Sequence, residues 1–276
     1  MARTTALPIL QVDAFSDRPF GGNPAAVCVL QEPKPESWMR HLAAEMNLSE
    51  TAFVIHQEDG YHLRWFTPTV EVDLCGHATL ATAHVLWTEG YLAINQPAEF
   101  ITRSGKLTAR FEGDWIELDF PLAATQAATA PAGLAEALGC EIGLVERSAV
   151  LGYWLVALES EAAVRQLKPL FTRLGGAIAD SVIVTAPSES DSYDFVSRFF
   201  APAMGIDEDP VTGSAHCCLG PYWSQRLNKL ELVGYQASKR GGLVKLKLDG
   251  SDRIQLAGKA ITVLKGELNA AAYLLD

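Results

Sequence analysis

The sequence predicts an α+β protein of two homologous lobes, each a curved, barrel-like, mostly antiparallel sheet around one central apolar helix. The first observation behind this is an internal repeat. Arg64-Trp65-Phe66-Thr67-Pro68 is echoed by Arg198-Phe199-Phe200-Ala201-Pro202, and Cys75-Gly76-His77-Ala78 by Thr212-Gly213-Ser214-Ala215. Gly76 and Gly213 lie 213 − 76 = 137 residues apart, and so do Gly105 and Gly242 (242 − 105 = 137), each of which opens an alternating run. Half of the 276-residue chain is 138 residues. A duplication of this kind fixes the architecture before any single element is assigned. The second observation is that strand-like and helical patterns mix without regular βαβ alternation. The third is that the segment after Gly76, HATLATAHVLW, is apolar almost all round, which belongs inside a sheet layer and not on a surface.

Taken in order, period-two alternation marks strands at residues 9–15, 25–30, 62–66, 107–111, 115–120, 181–185, 195–200, 243–248 and 261–264. Helical spacing marks residues 36–47, 77–89, 133–138, 161–167 and 214–225. The last of these carries Pro221 well past its first turn, where the ring removes a hydrogen bond and meets the preceding turn, so a kink or break is expected near Gly220. Residues 121–131, PLAATQAATAP, are short of charge and rich in Ala, Thr and Pro, as a linker would be. The lobes are therefore expected at 1–125 and 126–276, with the last strand allowed to cross back to the first lobe.

Composition narrows the function. With 49% hydrophobic and 20% charged residues the chain is an ordinary globular protein, long enough for two cores. Its net charge, 22 − 33 = −11, argues against nucleic acid or an anionic membrane as partner and for a small molecule. The N-terminal stretch 1–10 lacks the pattern of a secretory signal, and no window approaches the roughly 20 apolar residues of a membrane span. The five cysteines, Cys28, Cys75, Cys140, Cys217 and the adjacent Cys218, show no C-x-x-C spacing, which fits a reducing, cytoplasmic setting.

No G-x-G-x-x-G, G-x-x-x-x-G-K-[ST], G-x-S-x-G or H-E-x-x-H motif is present, so nucleotide-binding, serine-hydrolase and zinc-protease readings lose their usual support. Cys75-x-His77 with His84 seven residues on is too sparse a pattern for a metal site, and none is expected. The two glycine turns say more. Each stands between a strand and a buried helix, so Gly76 and Gly213 present backbone N–H groups at a helix N-terminus, where a carboxylate or a developing enolate is favoured.

The runs Phe20-Gly21-Gly22-Asn23-Pro24-Ala25, Asn47-Leu48-Ser49-Glu50-Thr51-Ala52-Phe53, Asp73-Leu74-Cys75-Gly76-His77-Ala78-Thr79 and Glu208-Asp209-Pro210-Val211-Thr212-Gly213-Ser214-Ala215 resemble the PhzF, or phenazine-biosynthesis-like, family. They occur in the family's order and cover nearly the whole chain. The resemblance implies the two-lobed fold of diaminopimelate epimerase, with the site between the lobes. It implies a catalytic acid/base at Glu50 and substrate-positioning His, Asp and Ser residues at His77, Asp209 and Ser214. His77 and Asp209 count with Glu50 as catalytic, while Gly76, Gly213, Ser214, Asn23 and Cys75 form the expected substrate-binding set. The resemblance further implies an isomerase that shifts a proton along a conjugated system without a cofactor, and relatives that often pair as homodimers.

Such a proton shift needs one carboxylate that alternates between base and acid in a water-poor site, where its pKa rises from ~4.3 toward neutrality. Glu50, between Leu48 and Ala52-Phe53, has apolar neighbours in sequence; its bland alternatives are a helix-capping partner or a solvated loop charge. Two rival functions stay open. One is an epimerase or racemase using Cys75 with Glu50, although the position repeating Cys75 is Thr212, whose hydroxyl cannot act as a second thiol. The other is a ligand-binding protein that has kept the fold without turnover.

Overall fold

A computed structural model of the chain describes residues 7–273; the first six residues of the stretch read for a signal lie outside them. The chain divides into two compact units, one holding the described residues up to Asp119 and from Gly258 on, the other Phe120–Ala257.

The first unit contains β1 (Leu7–Ala14), β2 (Asn23–Leu30), α1 (Glu36–Met46), β3 (Glu50–Gln57), β4 (Gly60–Phe66), β5 (Glu71–Val72), α2 (Gly76–Thr88), β6 (Ala98–Thr102), β7 (Gly105–Glu112) and β8 (Trp115–Pro121). The second contains β9 (Thr125–Ala127), α3 (Leu134–Leu138), β10 (Val145–Ser148), β11 (Trp154–Ala157), α4 (Glu161–Gln166), α5 (Phe171–Ala177), β12 (Val182–Pro187), β13 (Phe195–Ala201), β14 (Ile206–Asp209), α6 (Gly213–Leu227), β15 (Glu231–Gln236), β16 (Gly242–Leu248) and β17 (Arg253–Gly258). Then β18 (Ala260–Leu268) returns to β1 in the first unit, followed by the short α7 (Ala270–Tyr273).

The duplication is written in the strand pairing. In the first unit β18 pairs with β1 and β1 with β2, both antiparallel; β2 runs parallel to β3 and β3 antiparallel to β4. β4 then holds β5 antiparallel and β6 parallel, before β6–β7 and β7–β8 close the run antiparallel. The second unit repeats this step for step. β9–β10 and β10–β11 are antiparallel, β11–β12 parallel and β12–β13 antiparallel. β13 holds β14 antiparallel and β15 parallel, and β15–β16 and β16–β17 are antiparallel. Gly76 and Gly213 each open the central helix, and Gly105 and Gly242 each open the strand after the parallel step.

The echoed arginines do the same work in both units. Arg64 Nε and Nη2 donate to both oxygens of Glu71 at 2.7 and 2.6 Å, and Arg198 Nε and Nη2 to both oxygens of Glu208 at 2.7 and 2.9 Å. Such two-pronged pairs are geometrically specific and strong for their kind. Each ties the strand before the glycine turn to its neighbour.

Helix α2 is buried from His77 to Ala83 and again from Val85 to Trp87, and packs against β1, β2, β3, β7 and β18. Full burial of each Leu or Val there stabilises by about 1.5–3 kcal/mol. Its threonines fit an apolar setting because Thr79 and Thr82 hydroxyls donate to the carbonyls four residues back, Cys75 and Ala78, at 2.6 and 2.7 Å. Helix α6 occupies the same place and packs on β15 and β16.

Pro221 does not break α6, which runs unbroken from Gly213 to Leu227. The proline leaves the Cys217 carbonyl without its helical donor, and the N–H of Ala123 fills that role at 3.1 Å. Gly220 has a different purpose: a β-carbon there would stand 2.3 Å from Ile254 Cδ1, so the glycine lets the helix approach β17. Residues 121–131 are not plain linker either, since they carry β9. None of the cysteines is in a disulfide. Among the described residues no helix is long and apolar enough to cross a membrane.

Candidate active site

The starts of three elements of the first unit, β2, β3 and α2, come together at His77. Asn23 opens β2 after the tight turn at Gly21-Gly22, Glu50 opens the neighbouring parallel β3, and His77 is the second residue of α2, directly after Gly76. The turn admits no side chain at Gly22: φ is +61°, and a β-carbon would lie 2.0 Å from the Ala14 carbonyl oxygen. Glu50 sits across from Ala25 in the β2–β3 register, and the chain reaches it from α1 through Asn47, whose left-handed conformation ends that helix.

His77 Nε2 lies 3.2 Å from Glu50 Oε2, and both side chains are largely buried. On the other side of the ring, Nδ1 lies 3.3 Å from Asn23 Nδ2 and 3.5 Å from Cys75 Sγ. Burial pushes the His77 pKa down to about 3, so the imidazole is neutral at ordinary pH. Glu50, Cys75 and His77 offer a carboxylate oxygen, a sulfur and a nitrogen within 4.8 Å of one another, a donor set that zinc accepts. The thiol and the carboxylate approach opposite ring nitrogens, so the donors flank the imidazole.

The corresponding place in the second unit is chemically different. Phe66 pairs with Thr51 and Phe200 with Val182, so the position matching Glu50 is Ser181; Cys75 is matched by Thr212 and His77 by Ser214. The carboxylate, thiol and imidazole of the first unit are matched by three hydroxyls. Asp209 ends β14 and accepts a short hydrogen bond from the Thr212 hydroxyl. Gln236, fully buried at the end of β15, donates through Nε2 to the Asp209 carbonyl (2.8 Å) and to Thr212 Oγ1 (3.2 Å), and its Oε1 accepts from the Thr212 N–H at 2.8 Å. Ser214 Oγ lies 3.1 Å from the hydroxyl of Tyr153, whose ring stands edge-on to Phe199 and whose pKa is raised by burial.

Neither Cys75 nor Thr212 caps its helix with its side chain, and both helices have apolar or neutral first turns. Gly76 and Gly213 thus begin helices whose leading N–H groups are offered to other acceptors. Cys217 and Cys218 lie further along α6 as buried thiols with raised pKa values, that of Cys218 to about 12. His216, also buried and held near neutral form by a pKa lowered to about 4, bonds the Thr212 carbonyl through Nδ1. His84 is half-buried with Nε2 3.1 Å from Thr262 Oγ1, two turns along α2 from His77.

The structure thus groups Asn23, Glu50, Cys75, Gly76 and His77 in one unit, and Asp209, Gly213 and Ser214 in the other. Sequence reasoning missed Tyr153 and Gln236. Neither lies in an echoed motif; Gln236 alone left a trace, as a buried amide ending an alternating strand.

The family model for phenazine biosynthesis-like proteins matches residues 12–266. An uncharacterized isomerase of Halalkalibacterium halodurans is 53% identical over 262 residues, 95% of this chain and 98% of that protein. The crystal structure of a PhzF-family phenazine biosynthesis protein of Enterococcus faecalis superposes with a TM-score of 0.90 at 41% identity, covering 96% of this chain and all of the other. A hydroxyproline epimerase of Agrobacterium vitis shares the fold, with a TM-score of 0.61 at 13% identity over 97% of this chain and 94% of that one. With its motifs, its duplicated lobes and its relatives in agreement, the chain belongs to the phenazine biosynthesis-like family, PhzC–PhzF.

Proposed function

We propose that the protein is a cofactor-independent isomerase that moves a proton on a small carboxylate-bearing metabolite, cyclic or amino-acid-like, with Glu50 as general acid/base. Family membership and a close relative named as an isomerase support the reaction class. The observation that carries the residue assignment is the asymmetry between the units. A carboxylate beside a neutral, buried imidazole stands at one strand start, and the matching start in the other unit offers Ser181. In this reading Glu50 is the base, and it must both take the proton and return it.

In this reading Glu50 accepts a proton from an acidified C–H of the substrate, leaving an electron pair delocalised toward the carboxylate and any conjugated system. The protonated Glu50 then delivers that proton to another carbon of the same anion, so no electrons or atoms leave the enzyme. Low exposure of Glu50 favours this by weakening its solvation. His77 and Asp209 orient the substrate and relay protons; Ser214, with the N–H groups following Gly76 and Gly213, holds the carboxylate and the developing negative charge. Asp209 is suited to a fixed role because Thr212 and Gln236 clamp it.

Cys75 supports a second reading. Its sulfur lies in the same cluster, and a thiol paired with a carboxylate makes an epimerase. Both readings share a test. The protein is incubated in D₂O with a panel of small cyclic and amino-acid-like carboxylates, and proton spectra are followed for loss of a C–H signal. Enzyme-dependent exchange is expected with at least one of them. Binding of a panel member with no exchange at any carbon would favour the non-catalytic alternative.

A further inference from the structure

We infer that Asn23 is a positioning residue that fixes the tautomer of His77, keeping the ring proton on Nε2, the nitrogen on the Glu50 side. This deepens the Glu50 reading and rests on it for its catalytic meaning, but the tautomer is a property of the resting protein.

The donors and acceptors around the ring decide where its proton sits. A neutral imidazole has one N–H and one lone pair. On the Nε2 side stands Glu50 Oε2 at 3.2 Å, acceptor-only when ionised. On the Nδ1 side stand Asn23 Nδ2 at 3.3 Å and the Cys75 thiol at 3.5 Å, both donors. With the proton on Nε2 the donors on the other side are matched, because Nδ1 accepts from the amide and the thiol, whereas Nε2, 3.2 Å from Glu50 Oε2, makes no well-aligned hydrogen bond in this structure. The opposite tautomer would set a lone pair against the carboxylate and an N–H against the amide N–H. Unpaired or opposed polar groups at this depth are costly, since Asn23 is fully buried and His77 is 5% exposed.

The ring's neutrality gives the single proton its weight, because no second N–H is present to serve both sides. Asn23 is well placed to impose the choice. It follows Gly22, whose backbone admits no β-carbon, and pairs with Ala14 in the β1–β2 register, so its side chain is aimed by a rigid turn. Two consequences follow for chemistry. The proton-bearing nitrogen is then the one on the Glu50 side, 3.2 Å from Oε2. The Cys75 thiol donates toward Nδ1, on the side of the ring away from Glu50. Outer partners that set a histidine tautomer are functionally heavy elsewhere: a wrong tautomer at a catalytic histidine costs about 10⁴-fold in rate.

The test needs no substrate. Protein labelled with ¹⁵N-histidine is studied by long-range proton–nitrogen correlation at neutral pH, with His77 identified by the signals lost in His77→Gln. The expected spectrum shows His77 Nε2 protonated and Nδ1 unprotonated, with the shift of a nitrogen that accepts a hydrogen bond. Asn23→Asp replaces the donor by an acceptor and should bring a proton onto Nδ1. Asn23→Ala should move the Nδ1 resonance toward that of an imidazole nitrogen lacking a donor. A wild-type spectrum with the proton on Nδ1 would overturn the inference, as would an Nδ1 shift unmoved by Asn23→Ala. If Asn23→Asp does not fold, these two measurements decide. Failure of the Glu50 reading would show instead as exchange chemistry that survives Glu50→Gln, with the tautomer unaffected.

Discussion

Glu50→Gln is expected to abolish proton exchange and turnover on any substrate found, by about 10²–10⁴-fold, the usual cost of losing a general acid/base. Binding should stay close to wild type. Glutamine keeps the shape and one oxygen near His77 Nε2, 3.2 Å away in the native site, and loses only the capacity to carry a proton. A fall in kcat with a nearly constant dissociation constant is the signature of an interaction used in the transition state and not in the ground state. Calorimetry and D₂O exchange on the same preparation separate the two. Loss of binding with an unchanged rate at saturation would move Glu50 from the chemistry to recognition.

Gly22→Ala should cost about 2–5 kcal/mol of stability, through left-handed backbone strain together with overpacking. The β-carbon would arrive 2.0 Å from the Ala14 carbonyl oxygen, which is main chain of β1 and cannot rotate away as a side chain would. The strand must move, and Asn23 moves with it. Urea denaturation is therefore expected to show a markedly lower midpoint, and the His77 nitrogen resonances should shift even in molecules that fold. A midpoint unchanged from wild type would mean that the turn is far softer than its contacts imply.

Much of this was legible in the chain because duplication repeats physics as well as letters. Arg64 and Arg198 were visible as an echo, and each proved to clamp a glutamate on the next strand. The apolar run after Gly76 announced a central helix, and α2 is one. Other elements were hidden for identifiable reasons. β3, the strand that carries Glu50, shows no alternation, because ETAFVIHQ lies between a parallel and an antiparallel neighbour and is buried on both faces along Thr51–Val54. α5, FTRLGGA, carries two glycines that mask its period. Pro221 promised a break that local composition could not forbid, since the donor that rescues Cys217 comes from Ala123, almost a hundred residues upstream. The candidate residues followed the same rule. Asn23, Glu50, His77 and Asp209 stood in recognisable runs, whereas Tyr153, beside Ser214, and Gln236, beside Asp209, lie where the local sequence carries no motif.

The central claim is that a carboxylate, and not the thiol beside it, moves the proton. Cys75→Ala tests it most directly. The cysteine sits 3.5 Å from His77 Nδ1, opposite the nitrogen that faces Glu50, and its counterpart in the second unit is Thr212. Exchange of the substrate C–H with D₂O should therefore proceed in Cys75→Ala close to the wild-type rate, while Glu50→Gln falls at least about 10²-fold in the same assay. A loss in Cys75→Ala as deep as that in Glu50→Gln would contradict the account and make the protein a thiol-assisted epimerase.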